Sequence, residues 1–253
     1  MNKKRPPTAL MSDADNTLWD TNGIYADAQL WLLGVVEEAT GIRCPLEHRL
    51  DFVRQVDQAI AEKHHQRNRY PHALLAYALN QHLRGTALSE AVRQVLLGQQ
   101  KDLEKAQAEE AGKQFAKRLK RIPNLRPGVD TGLEHTHSAG IPIAVVTEGA
   151  ADTCRERLQY WGLERFVGHV VAAPKSVELF LRVSNLLAVE PRRCFVVGDQ
   201  LDRDVAPAIQ AGMNTFYFPG GFTPKWALKV DEVKPQHSIT TFADVPKILR
   251  CRD

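Results

Sequence analysis

One short apolar run near the amino terminus decides what this chain can fold into. Thr8 to Ser12 reads as a buried strand and leads directly into Asp13-Ala14-Asp15-Asn16-Thr17. From residue 20 to 121 everything that follows reads as helix. Ile24, Ala28, Trp31, Leu32 and Val35 share one helical face, and Leu50, Val53, Val56 and Ile60 form a second stripe after Pro45. Pro71 opens a third helix that Gly85 ends, Ser89 and Glu90 open a fourth, and Ala111, Phe115 and Leu119 line a charged helix over 102–121. A lone strand leaves its backbone groups unpaired, so its sheet partners have to come from beyond the helical stretch.

After Pro123 the texture changes. Pro127-Gly128 is a turn, with a short helix through 137 behind it. Apolar strand runs at 141–147, 166–171, 194–197 and 215–218 then alternate with helices at 150–161, 175–188 and 204–212, and a weak strand at 238–241 precedes a last helix at 245–249. Cys154, Leu158 and Trp161 face inward from the first of these helices, and Leu179, Val183, Leu186 and Leu187 from the second. Near-continuous apolar strands alternating with helices predict a parallel sheet covered on both faces. The expected fold class is α/β: a Rossmann-like parallel sheet with helices on both faces, plus an inserted all-helical domain. Residues 1–19 and 123–253 are expected to form the core, and 20–122 a helical second lobe over the sheet edge.

Four strand ends carry chemistry. Asp13 and Asp15, two apart on extended backbone, point the same way, at the carboxyl end of a strand where open α/β sheets place their ligands. Two such carboxylates repel unless a divalent cation or a shared proton relieves them; a helix-capping turn is the plainer alternative. Thr147 ends the second run just before a helix start, where a hydroxyl and free amides suit an anion. Lys175 begins a helix, against the helix dipole, which makes sense if its ammonium turns back toward negative charge. Gly198-Asp199-Gln200-Leu201-Asp202-Arg203-Asp204 crowds three acids after a buried strand, oxygen donors of the kind magnesium takes.

In this order the four pieces resemble the motifs of the haloacid dehalogenase-like superfamily, specifically its phosphatases: DxDx(T/V), here DADNT; a strand-ending Ser or Thr, here Thr147; a lysine, here Lys175; and GDxxxxD, here Gly198, Asp199 and Asp204. The segment from Leu125 to Gly149 is similar to that family's approach to its second motif. The resemblance covers residues 8–19 and about 125–249; the insertion matches the family's helical cap in position and helix content alone. It implies that Asp13 is a nucleophile forming an aspartyl phosphate and that Asp15 is the general acid and then the base. It implies Mg2+ held by the Asp13 carboxylate, the Asp15 carbonyl and the Asp199 carboxylate, phosphoryl binding by Thr147 and Lys175, and orientation of the metal site by Asp204 and Asp202. Glu148 stands where the family commonly has Asn, and Ser176 where a proline commonly follows the lysine. The implied activity is magnesium-dependent hydrolysis of a small phosphorylated metabolite. A phosphomutase or dehalogenase of the same superfamily, or a binding module on the same fold, are the rivals; Asp15 argues against the dehalogenase and Asp13 against the module.

Bulk properties narrow the partners. A net charge of +3 does not point to nucleic acid, and the basic clusters Lys3-Lys4-Arg5 and Lys117 to Arg121 read as solvated ends. The longest apolar run, Leu30 to Val36, is too short to span a bilayer, and Pro6-Pro7 follows the first basic residues in place of a signal peptide's apolar stretch. Cysteines at 44, 154, 194 and 251 have no CxxC spacing. A cytoplasmic protein, without nucleic-acid or membrane partners, is the expectation. His64, His65, His72 and His82 read as solvated rather than as metal ligands, Trp19 and Asn22 as candidates to line the pocket, and Pro219-Gly220-Gly221-Phe222 as a turn bordering it.

Overall fold

A computed structural model describes residues 8–66, 70–100, 103–223 and 227–251. They divide into two compact units, Met1–Asn22 with Ile122–Asp253, and Gly23–Arg121. The basic cluster at residues 3–5, Pro6-Pro7 and residue 102 lie outside the described residues.

The first unit is built on a six-stranded sheet of order β3-β2-β1-β4-β5-β6, with β1 Ala9–Ser12, β2 Ile143–Thr147, β3 His169–Ala172, β4 Cys194–Gly198, β5 Asn214–Tyr217 and β6 His237–Ser238. Every pairing is parallel; Met11 stands opposite Ala144 on one side and Val196 on the other. The amino-terminal strand therefore lies inside the sheet, and its four residues are all buried. Alternation along the strands divides the core into two layers. Leu10, Val145, Val197 and Phe216 pack with residues of α6 (Val129–Ser138), α7 (Ala151–Tyr160) and α10 (Val245–Cys251). Ala9, Met11, Ala144 and Val196 face α8 (Val177–Leu186) and α9 (Ala206–Gln210).

The second unit is helical: α1 (Thr21–Thr40) from Gly23 on, α2 Arg49–Lys63, α3 Ala73–Leu83, α4 Leu88–Leu96 and α5 Lys105–Leu119, with Leu32, Val53, Ile60, Leu79, Val92 and Phe115 in a core of its own. The α1 face is rotated from the expected one. Its buried residues are Ala28, Gln29, Leu32, Leu33, Val36 and Glu37, while Ile24, Trp31 and Val35 are half-buried. Two polar side chains define this face: Gln29 Nε2 donates to Asp57 at 2.7 Å, and Glu37 receives Arg49 at 2.6 and 2.7 Å and the Cys44 amide at 2.9 Å. The histidines pack more than expected: His82 stacks on Phe52 and His72 rests on the Phe115 ring.

Further boundaries differ, among them β6, which ends at Ser238 instead of 241. Phe166 closes a 3-10 turn and β3 begins at His169, because the Gly168 amide is already bonded to Ile143 O. The α8 helix starts at Val177, capped by the Ser176 hydroxyl, which accepts the Leu179 amide. Lys175 thus precedes the helix, and Leu186 faces solvent. Residues Leu201–Val205 form one wide turn before α9, closed by the Val205 amide on Gln200 O and the Ala206 amide on Leu201 O, while Asp204 accepts the Gln200 amide.

Candidate active site

The parallel sheet sets the carboxyl ends of β1, β2, β3 and β4 side by side, and the chemistry-bearing residues follow those ends. Asp13 comes straight after β1, its amide bonded to Val197 O on β4. Asp199 comes straight after β4, and Lys175 three residues after β3. The Lys175 ammonium reaches back to the sheet and lies between two acids, bonded to Asp13 Oδ1 and, at 2.5 Å, to Asp204 Oδ1. All three side chains are almost wholly buried.

Two glycines permit this crowding. A Cβ at Gly198 would stand 2.2 Å from Asp204 Cγ, and one at Gly220 would stand 2.7 Å from Asp199 Oδ2. Pro219-Gly220 is therefore the wall against which Asp199 rests. Arg126 holds that wall, donating to Asn16 O, Phe218 O and Pro219 O with its guanidinium over the Phe218 ring.

One ammonium does not balance three acids. Burial pushes Asp13 up to about 7, with Asp204 adding to the shift and Lys175 opposing it. Burial likewise pushes Asp199 up to about 9, with Asp13 and Asp204 adding and Lys175 and Arg126 opposing. Lys175 is held charged, since the two acids outweigh the burial that works against it. Oxygens of Asp13, Asp199 and Asp204 lie within 4.8 Å of one another. Both oxygens of Asp204 are engaged, by Lys175 and by the Gln200 amide. Among the described residues, Asp13 Oδ2 and Asp199 Oδ1 are buried without a hydrogen-bond partner. Two orphaned carboxylate oxygens in a region of surplus negative charge fit a hard divalent cation, and magnesium is commonly held by one or two carboxylates.

Around this centre Thr147, at the end of β2, is buried and accepts the Gly149 amide at 3.0 Å, leaving its own proton to donate. Asp15 is more open, and its Oδ1 accepts from Trp19 Nε1, Thr21 Oγ1 and Arg157 Nη1 at 2.7–2.8 Å. Asp13, Lys175, Asp199 and Asp204 are thus brought together, with Asp15 and Thr147 beside Gly149. Asp202 is not brought in. It is exposed, because the 201–205 turn buries Leu201, Asp204 and Val205 and directs Asp202 outward. Trp19 is fully buried, so it anchors Asp15 and does not line a pocket. Asn22 ties the Gly220 loop down through Gly220 O at 2.9 Å.

Three arginines were missed. Arg126 and Arg157 lie outside every motif, and the charged face of α7 gives nothing to mark Arg157 out from Arg155. Arg203 lies within GDQLDRD and pairs with Glu148 Oε2, while Glu148 Oε1 accepts the Lys175 amide at 3.0 Å. Glu148 is therefore spent on joining three loops. Both of its oxygens are engaged, and the Arg203 guanidinium offsets its charge.

Comparison with known proteins agrees with this geometry. The model of the haloacid dehalogenase-like hydrolases matches residues 7–212, a span holding all four motifs. The chain is 30% identical over 95 residues to glyceraldehyde 3-phosphate phosphatase of Methanopyrus kandleri, covering 35% of this chain and 41% of that one. It is 26% identical over 121 residues to human N-acylneuraminate-9-phosphatase, covering 45% and 47%. These matches span less than half the length of either relative. Over nearly its whole length the fold is similar to a haloacid dehalogenase-like family hydrolase from Xanthomonas campestris, with a TM-score of 0.66 at 16% identity, covering 99% of this chain and 97% of that one. A parallel sheet entered by its first strand before a long insertion, with the four motifs gathered at its carboxyl edge, places this chain in the family of haloacid dehalogenase-like hydrolases.

Proposed function

We propose that this protein hydrolyses phosphoric monoesters of small metabolites through a phosphorylated Asp13. The observation that carries the reading is the buried lysine held between Asp13 and Asp204, beside the orphaned oxygens of Asp13 and Asp199. The names of the two relatives, phosphatases of glyceraldehyde 3-phosphate and of an N-acylneuraminate 9-phosphate, support the same chemistry.

In this reading the Asp13 carboxylate attacks phosphorus, the bond to the leaving oxygen breaks, and Asp15 gives that oxygen a proton. Asp15 then takes a proton from water, whose oxygen attacks the phosphoryl group, freeing phosphate and restoring Asp13. Lys175 and the Thr147 hydroxyl hold the transferred oxygens, and the fixed ammonium offsets their charge with little reorganisation. The Asp13 and Asp199 carboxylates, with the Asp15 carbonyl, would hold Mg2+, which supplies further positive charge to the phosphoryl group. Asp204 keeps Lys175 and the Gln200 turn in place. Asp15 is the group a metal-free dehalogenase has no use for.

Turnover of p-nitrophenyl phosphate tests the reading. Asp13→Asn should lower it by at least about 10³-fold, as expected for loss of a nucleophile; EDTA should silence the wild type and magnesium restore it. Retained turnover in Asp13→Asn, or indifference to chelation, would remove the proposal.

A further inference from the structure

Asp15 is held in a lopsided way. Its Oδ1 accepts three hydrogen bonds, from Trp19 Nε1 at 2.8 Å, Thr21 Oγ1 at 2.8 Å and Arg157 Nη1 at 2.7 Å. Its Oδ2 points elsewhere: a Cβ at Gly149 would lie 3.4 Å from Asp15 Oδ2 and 3.3 Å from Thr147 Oγ1. So Oδ2 and the Thr147 hydroxyl look onto the same glycine, while all three hydrogen bonds that the Asp15 carboxylate accepts from described residues go to Oδ1. The three donors differ in kind. Trp19 is locked in the core, and Thr21 is close in the chain. Arg157 comes from α7, 142 positions away in sequence, and its side chain is 14% exposed while that of Asp15 is 41% exposed. A guanidinium so placed, with its Cζ 5.5 Å from the Trp19 ring centroid, has little freedom to follow solvent.

We infer that Arg157 is a positioning residue for the proton transfer: with Trp19 and Thr21 it pins Oδ1 of Asp15 and leaves Oδ2 as the oxygen that passes the proton. The inference rests on the assignment of Asp15 as acid and base. The fork of the guanidinium gives a directed bond as well as a charge. A carboxyl group that is free to rotate exposes either oxygen, whereas a pinned one keeps its working oxygen toward the leaving group, and proton transfer depends on that reach. Nothing in the four motifs assigns Arg157 a role.

The test compares two phosphate esters of similar shape. The phenolate of p-nitrophenyl phosphate departs with little help, whereas that of phenyl phosphate needs the proton. The ratio of their kcat/KM values isolates steps up to phosphoryl transfer. Arg157→Met should lower kcat/KM for phenyl phosphate about tenfold more than for p-nitrophenyl phosphate, a fraction of what a full general acid contributes. Arg157→Lys, which keeps a charged donor, should narrow that gap. Equal losses on the two esters, as a merely structural role would give, or a gap that Arg157→Lys leaves unchanged, overturn the inference. Thr21→Val removes a neutral donor from the same oxygen without breaking an ion pair, and serves where the Arg157 variants melt early; a gap in the same direction is expected, and equal losses again overturn it. Asp15→Asn separates this inference from the reading beneath it. A gap with Asp15→Asn but none with Arg157→Met sinks the role of Arg157 alone, and no gap with Asp15→Asn sinks the assignment of Asp15.

Discussion

Lys175 shows how a single residue is held by its chemistry rather than by its place in an element. It was expected to open a helix, yet it sits ahead of the Ser176 cap, and what fixes it is the pair of acids on either side of its ammonium. Removing one member of a buried charge cluster leaves the others uncompensated, at about 3–5 kcal/mol. Lys175→Met should therefore lower the unfolding free energy by about that much in chemical denaturation at neutral pH with EDTA; unchanged stability would mean that Asp13 and Asp204 are not paired through it. The residue scale is also where the sequence was most and least legible. Asp13 and Asp199 were readable because each directly follows an apolar strand, and Asp204 through its spacing from Gly198-Asp199. Asp202 was overcounted, since spacing alone does not tell which side of a wide turn faces in. Arg126, Arg157 and Arg203 were invisible because a surface arginine and one reaching into a site look alike until the fold brings their partners near.

At the scale of elements, the strands in the middle of the sheet were legible to within one or two residues, since residues buried on both faces leave a short apolar run that its length and flanking turn residues mark as a strand. The exceptions are the two edge strands: β3, whose residues are only partly buried or exposed and whose start is set by a backbone bond at Gly168, and β6, which ends at Ser238 instead of 241. Helix phase was less legible where polar residues are buried. In α1 the inward face includes Glu37, which no hydrophobic pattern marks, because Arg49, Arg43 and the Cys44 amide supply its partners. Burial acts to raise the Glu37 carboxyl, but these partners prevail and hold it below its ordinary value of 4.5. With the folded value depressed, the unfolded chain binds more protons on the acid side, so this stabilisation is present above pH 4.5 and fades as pH falls through the folded value. Glu37→Gln should cost about 2 kcal/mol near neutrality and flatten the loss of stability below pH 4.5. An unchanged acid limb in pH-dependent denaturation would contradict this account of α1.

For the whole molecule, the order of elements along the chain was enough to join β1 to the sheet of the later strands, because a strand cut off by a long helical stretch has partners only beyond it; its place between β2 and β4 was not legible. The two hydrophobic cores of the first unit and the one of the second follow from the same sequence patterns. No helix among the described residues is long and apolar enough to cross a membrane. Substrate choice was not legible, since no stretch of the insertion pairs a recognisable chemistry with a fixed spacing. If Asp13 and Asp199 hold magnesium, binding to the folded state alone adds about 2.7 kcal/mol at a hundred times the dissociation constant. The melting temperature should then rise with added magnesium in the wild type and stay flat in Asp199→Asn; an equal rise in both would place the cation elsewhere. The claim on which everything else depends is that the tip of β1 carries the phosphoryl group during turnover. Rapid quenching of the enzyme with p-nitrophenyl phosphate and magnesium, followed by mass spectrometry of its peptides, tests this most directly. A phosphoryl adduct on Asp13 is the predicted result; steady turnover with the adduct on another residue, or with none at all, would contradict it.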